Sequence, residues 1–285
     1  MQKKRQEPKV IVVLGQTATG KSALAVKIAQ RLDGEIISAD SRQVYKGLDI
    51  GTGKITKREM RGIAHHLIDV ANPKNKFTVI EFQKRAIRAM ALIARRGKIP
   101  IICGGTGFYI DAITKGIIFP EVPPNYPLRK KLALVSDRAL MLKLKKLDLV
   151  RAESIDQKNK VRLIRAIEIA KALGSVPHLA VKPPSFKFIK IGLYLPPDKL
   201  KKKIEKRVRE MFATGLLKEI KKLKKAGVSE KRLRELGFEY SQPTKEKVIT
   251  ETIKYAKRQM TWFKRDKEIK WFDASKKNYL LNCGR

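Results

Sequence analysis

The chain has 285 residues, of which 65 are lysine or arginine and 27 are aspartate or glutamate, a formal net charge of +38. Its 43% apolar content suffices for a packed core and excludes a disordered chain, while two cysteines and three histidines exclude a disulfide framework and a zinc site. The positive excess points to a polyanionic partner, with nucleic acid the natural one; solvated lysine-covered helix surface is the competing reading for any single cluster.

The basic segment 1–9 is followed by no signal-peptide core, and no apolar run approaches membrane-spanning length. A reduced, cytoplasmic protein without membrane contact is expected. Val10–Leu14 is an unbroken apolar run and predicts a buried first strand. Ser22–Leu32 predicts the helix after it, with Leu24, Ile28 and Leu32 four apart and Gly34 as its end. Glu35–Ala39 predicts a second strand that delivers Asp40 to its carboxyl end, the edge where open parallel sheets bind ligands. Thr78–Arg96 has helical spacing, with Thr78 to cap its start and Gly97 its end. Ile99–Cys103 is a third apolar strand, in which Cys103 reads as a small buried hydrophobe, and Gly104-Gly105-Thr106-Gly107 follows it. This alternation predicts a parallel α/β sheet.

The pattern changes near Pro120. Pro120, Pro123, Pro124 and Pro127 predict a stiff extended connector, and Leu128–Leu173 reads as helical and basic without a strand. Phe188–Leu195 resumes an apolar strand. Asp198 is placed to cap a long basic helix with Leu200, Ile204, Val208, Met211 and Phe212 inside. A helix over Lys245–Lys264 and a short strand over Ile269–Phe272 complete the pattern. The division expected is a core over 1–119 and 187–285, with a helical insertion over 120–186.

One motif carries the chemistry. Gly15-Gln16-Thr17-Ala18-Thr19-Gly20-Lys21-Ser22 lies between the first strand and first helix, in the context that a phosphate-cradling loop requires. Its glycines allow backbone N–H groups to turn toward a phosphate, and the helix adds the positive end of its dipole. Lys21 can reach a terminal phosphate and Ser22 can ligate Mg²⁺. Asp40, at a neighbouring strand end, suits a water-mediated Mg²⁺ ligand, a general base or a plain turn residue. The third strand ends in glycines and Thr106 instead of an acid, which weakens a hydrolase reading. A small-molecule kinase has no need of +38, and an RNA-stimulated ATPase wants an acid where Gly104 stands.

Several longer strings narrow this further. They are the phosphate loop, Asp40-Ser41-Arg42-Gln43-Val44-Tyr45-Lys46-Gly47-Leu48-Asp49-Ile50-Gly51-Thr52, His65-His66-Leu67-Ile68-Asp69, Gly104-Gly105-Thr106, Arg162–Glu168, Gly215-Leu216-Leu217 and Ala256–Phe263. In that order, over roughly residues 9–273, they resemble the tRNA dimethylallyltransferase (tRNA isopentenyltransferase) family in its bacterial form. The resemblance implies a P-loop NTPase-like sheet core with an inserted helical domain. It implies transfer of a dimethylallyl group from its diphosphate to N6 of the adenosine 3′ of the anticodon, with Mg²⁺ as cofactor. Residues 15–22 would then bind the diphosphate, with Ser22 on the metal. Asp40 would accept the N6 proton, Thr106 would hydrogen-bond the reacting groups, and Arg207 would clamp the leaving diphosphate. Asp40, Ser41, Arg42, Gln43, Thr106, Arg129, Val161, Arg162, Leu163, Ile164 and Arg165 match positions where family members touch tRNA, reached through a channel between core and insertion. Enzymes that modify bases extrude them into such sites. Arg162 and Arg165, three apart on one helix face, suit phosphate contact. A monomer is expected. The chain departs from the family pattern at Leu149, Val161, Lys203 and Gly237-Phe238-Glu239, and its insertion is short over Leu128–Arg151.

Overall fold

The computed structural model describes residues 7–178 and 180–276. Cys283 lies outside them. Ile117–Lys182 forms a compact unit of its own, and the described residues on either side of it form a larger one.

The larger unit is built on β1 (Lys9–Gly15), which leads through the phosphate loop into α1 (Lys21–Leu32) and then β2 (Gly34–Ser38). A short α2 (Lys57–Met60) and a two-residue β3 (His65–His66) precede α3 (Val79–Arg95), β4 (Ile99–Gly104) and α4 (Gly107–Thr114). The six-stranded sheet has the order β3-β2-β4-β1-β5-β6, with β5 at Lys187–Tyr194 and β6 at Lys270–Asp273. Every pairing in it is parallel. Parallel strands are covered on both faces, which is why β1 is a continuous Val-Ile-Val-Val-Leu run with those residues buried. One face packs on α3 and α4 through Phe82, Met90, Ile93, Ile110 and Ile113; the other packs on α1 through Leu24, Ala25 and Ala29.

Two details of α1 differ from the periodicity. Ala25 and Ala29 are fully buried beside Leu24 while Leu32 is 44% exposed, so the inner face of the helix runs through Leu24, Ala25, Val26 and Ala29 and leaves the end of the Leu24-Ile28-Leu32 row outside. Asp33 takes the left-handed position at the helix end (φ 45°), and Gly34 already belongs to β2. A Cβ at Gly34 would lie 2.7 Å from Ile101 Cδ1, so its glycine serves strand contact instead of helix termination.

In the smaller unit, α5 (Tyr126–Ala133), α6 (Asp137–Leu147), α7 (Leu149–Ser154) and α8 (Lys160–Leu173) surround Leu132, Leu140, Leu144, Leu163 and Ile167. Pro127 lies in the first turn of α5 and not in an extended connector, because the first turn lacks intrahelical partners for its N–H groups. After β5, α9 (Pro197–Thr214), α10 (Leu216–Lys225), α11 (Glu230–Leu236), a 3₁₀ turn at Phe238–Tyr240 and α12 (Lys245–Phe263) complete the larger unit. Pro196, not Asp198, is the N-cap of α9; Asp198 sits in the first turn, where its charge complements the helix dipole.

Candidate functional site

Because β2, β4 and β1 are adjacent and parallel, their carboxyl ends bring three loops to one edge. They carry Gly15–Ser22 after β1, Asp40–Gln43 after β2, and Gly105-Thr106 after β4. The loop after β1 turns sharply: Gly15 (φ 131°), Ala18 (φ 62°) and Gly20 (φ 92°) all have positive φ. Gly20 is the N-cap of α1 and no side chain caps that helix, so its first N–H groups face the loop's concavity. That is the geometry of an anion cradle.

The loop is held from outside by α12. Gln259 Oε1 accepts from Thr17 N–H (2.7 Å) while its Nε2 donates to the Gly105 carbonyl (2.9 Å). Gln259 thereby ties the β1 and β4 loops together. Gln16 Nε2 donates to Ala256 O (3.3 Å), and Thr19 Oγ1 donates to Gln16 O (2.8 Å). Lys21 Nζ donates to the Gln16 carbonyl. Burial and, beyond it, the Arg207 charge push the Lys21 ammonium down to about 8, against the opposing pull of Asp40. Burial pushes the Cys103 thiol up to about 11, so it stays protonated.

Arg207 enters from α9. Its Nη1 donates to Thr17 Oγ1 (3.3 Å) and its Nη2 to the Thr52 carbonyl (3.0 Å). It fits there because residue 53 is glycine: a Cβ on Gly53 would sit 1.9 Å from Nη2. Burial lowers its pKa.

Asp40 Oδ1 accepts from the N–H groups of Arg42 (2.8 Å) and Gln43 (3.2 Å), an Asx turn that orients the carboxylate. Thr106 Oγ1 accepts from Ser41 N–H (3.0 Å) and donates to Ser41 Oγ (3.3 Å), linking the β2 and β4 loops. Arg42 ion-pairs with Glu239 and lies over the rings of Phe238 (5.0 Å) and Tyr255 (5.7 Å). A cavity of about 740 Å³ is lined by Thr17, Gly20, Lys21, Ser22, Asp40, Gln43, Arg207 and Tyr255. Among the described residues no three His, Cys, Asp or Glu side chains converge as a metal cluster.

Gln259, Tyr255, Thr52, Gly53 and Glu239 were not anticipated as site residues. Gln259 carries a local sign: it is a buried amide among Val248, Thr252, Ala256 and Phe263 on the inner face of α12.

The smaller unit separates its expected contact residues. Val161 is 77% exposed on α8. Arg162 is exposed, with its Nη1 3.7 Å from Asp156. Arg129 and Arg165 both turn onto the buried Glu168: Arg129 Nε and Nη2 reach its two oxygens at 2.9 and 2.6 Å, and Arg165 Nη1 donates to Oε2. Arg165 Nη2 also donates to Val122 O (2.9 Å). Despite burial, these bonds and the Asn125 N–H hold the Glu168 carboxyl below its ordinary range. Ile164 packs against the unit's core. Leu163, expected as an RNA contact, has its side chain fully buried in that core. Arg162 and Arg165 differ in their surroundings: the first is exposed, and the Glu168 carboxylate holds the second.

The all-parallel sheet and the anion cradle beyond its central strand define an α/β protein with a phosphate-loop core. The family model described as IPP transferase matches residues 43–266. A Synechocystis sp. protein named tRNA dimethylallyltransferase is 40% identical, covering 96% of this chain and 93% of its own. One of the same name from Anoxybacillus flavithermus is 39% identical, covering 94% and 91%. The chain belongs to the IPP transferase family. The crystal structure of the full-length tRNA isopentenylpyrophosphate transferase of Bacillus halodurans superposes with a TM-score of 0.69 at 36% identity, over 93% of this chain and 90% of that one. A eukaryotic dimethylallyltransferase acting on tRNA gives 0.81 at 28% identity, over 94% and 74%. No described helix is long and apolar enough to cross a membrane.

Proposed function

We propose that this chain transfers a dimethylallyl group from dimethylallyl diphosphate to N6 of the adenosine 3′ of the anticodon in tRNA, releasing diphosphate. The observation that carries the reading is the convergence of Lys21, Arg207 and Asp40 on one cavity, two cations beside a carboxylate. The loop N–H groups and Lys21 bind the diphosphate, and Arg207 bridges toward it from the opposite wall. As N6 attacks C1 of the dimethylallyl group, the C1–O bond breaks and its electron pair leaves with the diphosphate. Negative charge develops there, where fixed cations and N–H dipoles stabilise it. Asp40 accepts the N6 proton, and its Asx turn removes the need to reorganise the carboxylate. Thr106, bonded to Ser41, orients the adenine.

Mg²⁺ fits the donor set, because Ser22 Oγ is a hard oxygen ligand beside the cradle and this ion keeps most of its shell as water and substrate phosphate. Bound at Ser22, it would supply further neutralisation of the leaving group. Ser41, Arg42 and Gln43 at the core, and Val161 and Arg162 on the exposed face of α8, are assigned to tRNA. Ile164, Arg129 and Arg165 support that surface, the two arginines as partners of Glu168. A cytoplasmic monomer is the working unit.

Incubation with Mg²⁺, dimethylallyl diphosphate and unmodified tRNA is expected to add one five-carbon unit, read by mass spectrometry of nuclease digests. Plain adenosine only, beside an active control enzyme, refutes the reading. A kinase is disfavoured by the +38 charge, and an RNA-stimulated ATPase because β4 ends at Gly104, followed by Gly105-Thr106, with no acid to organise hydrolysis.

A further inference from the structure

Glu239 is a buried carboxylate that the mechanism above leaves unused. Its side chain is 9% exposed and its partner, Arg42, 26%. The pair is built into the fold. Glu239 sits on the 3₁₀ turn after Gly237, where φ is 154° and a Cβ would lie 2.6 Å from Glu239 Oε2 and 2.8 Å from the Arg42 guanidinium. Phe238 and Tyr255 provide the faces on which that guanidinium rests.

Arg42 is also part of the turn that presents Asp40. Its N–H donates to Asp40 Oδ1, its carbonyl accepts from Tyr45 N–H (3.1 Å), and the neighbouring Ser41 is held by Thr106. The Arg42 side chain therefore anchors this turn from outside while backbone bonds shape it from inside. The same guanidinium lies within electrostatic reach of Asp40. A cation beside two carboxylates goes to whichever holds it best, and the one it pairs with loses basicity.

We propose that Glu239 is a positioning residue for prenyl transfer: by claiming Arg42 it keeps the Arg42 charge from capturing Asp40, while backbone bonds hold the turn. This rests on the reading of Asp40 as proton acceptor. Removing the Glu239 charge does more than delete a tether. It frees a guanidinium whose own backbone N–H already donates to Asp40 Oδ1 and whose charge acts on that carboxylate.

The test compares two variants with the wild-type chain. Glu239→Gln keeps shape and removes charge; it is expected to lower kcat by roughly tenfold or more, about 1.4 kcal/mol of transition-state stabilisation, with the KM for dimethylallyl diphosphate within about twofold. Adding Arg42→Gln to Glu239→Gln removes the freed cation and, with tRNA saturating so that any loss of an Arg42–tRNA contact falls on the tRNA KM, is expected to recover a large part of kcat. A merely structural ion pair predicts the reverse, a double variant as slow as Glu239→Gln or slower. An unchanged diphosphate KM reports a folded phosphate loop in each variant. Normal kcat in Glu239→Gln, a double variant without recovery, or a KM that moves with kcat overturns the proposal. Wild-type chain that prenylates tRNA while the double variant shows no recovery refutes the role of Glu239 alone; wild-type chain that transfers nothing refutes the proposed function as well.

Discussion

Arg207→Lys isolates what a guanidinium does that a charge alone cannot. Arg207 spans the site from Thr17 Oγ1 to the Thr52 carbonyl with separate nitrogens, 3.3 and 3.0 Å away. A lysine ammonium concentrates its donors on one atom and cannot hold the loop and a phosphate oxygen in the same planar grip. The positive charge survives, so ground-state attraction of the diphosphate changes little. What is lost is one charge-assisted hydrogen bond to the leaving group, about 1.5–3 kcal/mol. At about 1.4 kcal/mol per factor of ten, kcat is expected to fall about 10- to 150-fold while the KM for the donor moves less. Single-turnover transfer of a tritiated dimethylallyl group to a tRNA transcript, quenched over time, measures this. Arg207→Gln, which loses charge as well, is expected to be slower still. An Arg207→Lys rate within about twofold of wild type would show that the planar grip is not used in the rate-limiting step.

Other outcomes follow from the same geometry. Lys21 has a folded pKa of about 8 against 10.5 for the ordinary side chain. The free protein therefore loses the Lys21 charge as pH rises past about 8, and kcat/KM for the diphosphate is expected to fall there; a flat profile to pH 10 refutes the role. For stability the sign runs the other way. Between those two values the unfolded chain binds more protons than the folded one, so this group's contribution improves as pH rises, and Lys21→Met is expected to raise the melting temperature at pH 7 while abolishing transfer. Asp40→Asn keeps an acceptor for the Arg42 and Gln43 N–H groups and is expected to lose turnover with tRNA affinity nearly unchanged, measured by filter binding beside the transfer assay; a near-normal rate removes Asp40 as base. Glu168→Ala strands two arginines and the Asn125 N–H in the smaller unit, a cost of about 3–5 kcal/mol by urea unfolding, and a loss below about 1 kcal/mol would mean that the cluster is hydrated and dispensable.

The phosphate loop, Asp40 and Thr106 were legible because each sits at the end of a short apolar strand, and strand ends can be read from a local run of residues. Their supports were not. Gln259 lies 242 positions from Thr17, Glu239 lies 197 from Arg42, and Arg207 lies 155 from Thr52. No periodicity links such pairs. In the smaller unit the i,i+3 spacing of Arg165 and Glu168 is visible in the chain, but the claim that Arg129 makes on the same carboxylate comes only from the packing of α5 on α8.

The chain alone determined that an anion cradle follows the first strand, because glycine placement and positive φ are properties of a few consecutive residues. It also determined a parallel sheet, through apolar runs alternating with amphipathic helices. Tertiary structure alone decided the order β3-β2-β4-β1-β5-β6, which sets β2, β4 and β1 side by side and so brings Asp40 and Thr106 to Lys21. It decided, too, which arginines are committed to carboxylates and which face the cavity, since burial and the nearest opposite charge, and not residue type, determine what a cation can hold.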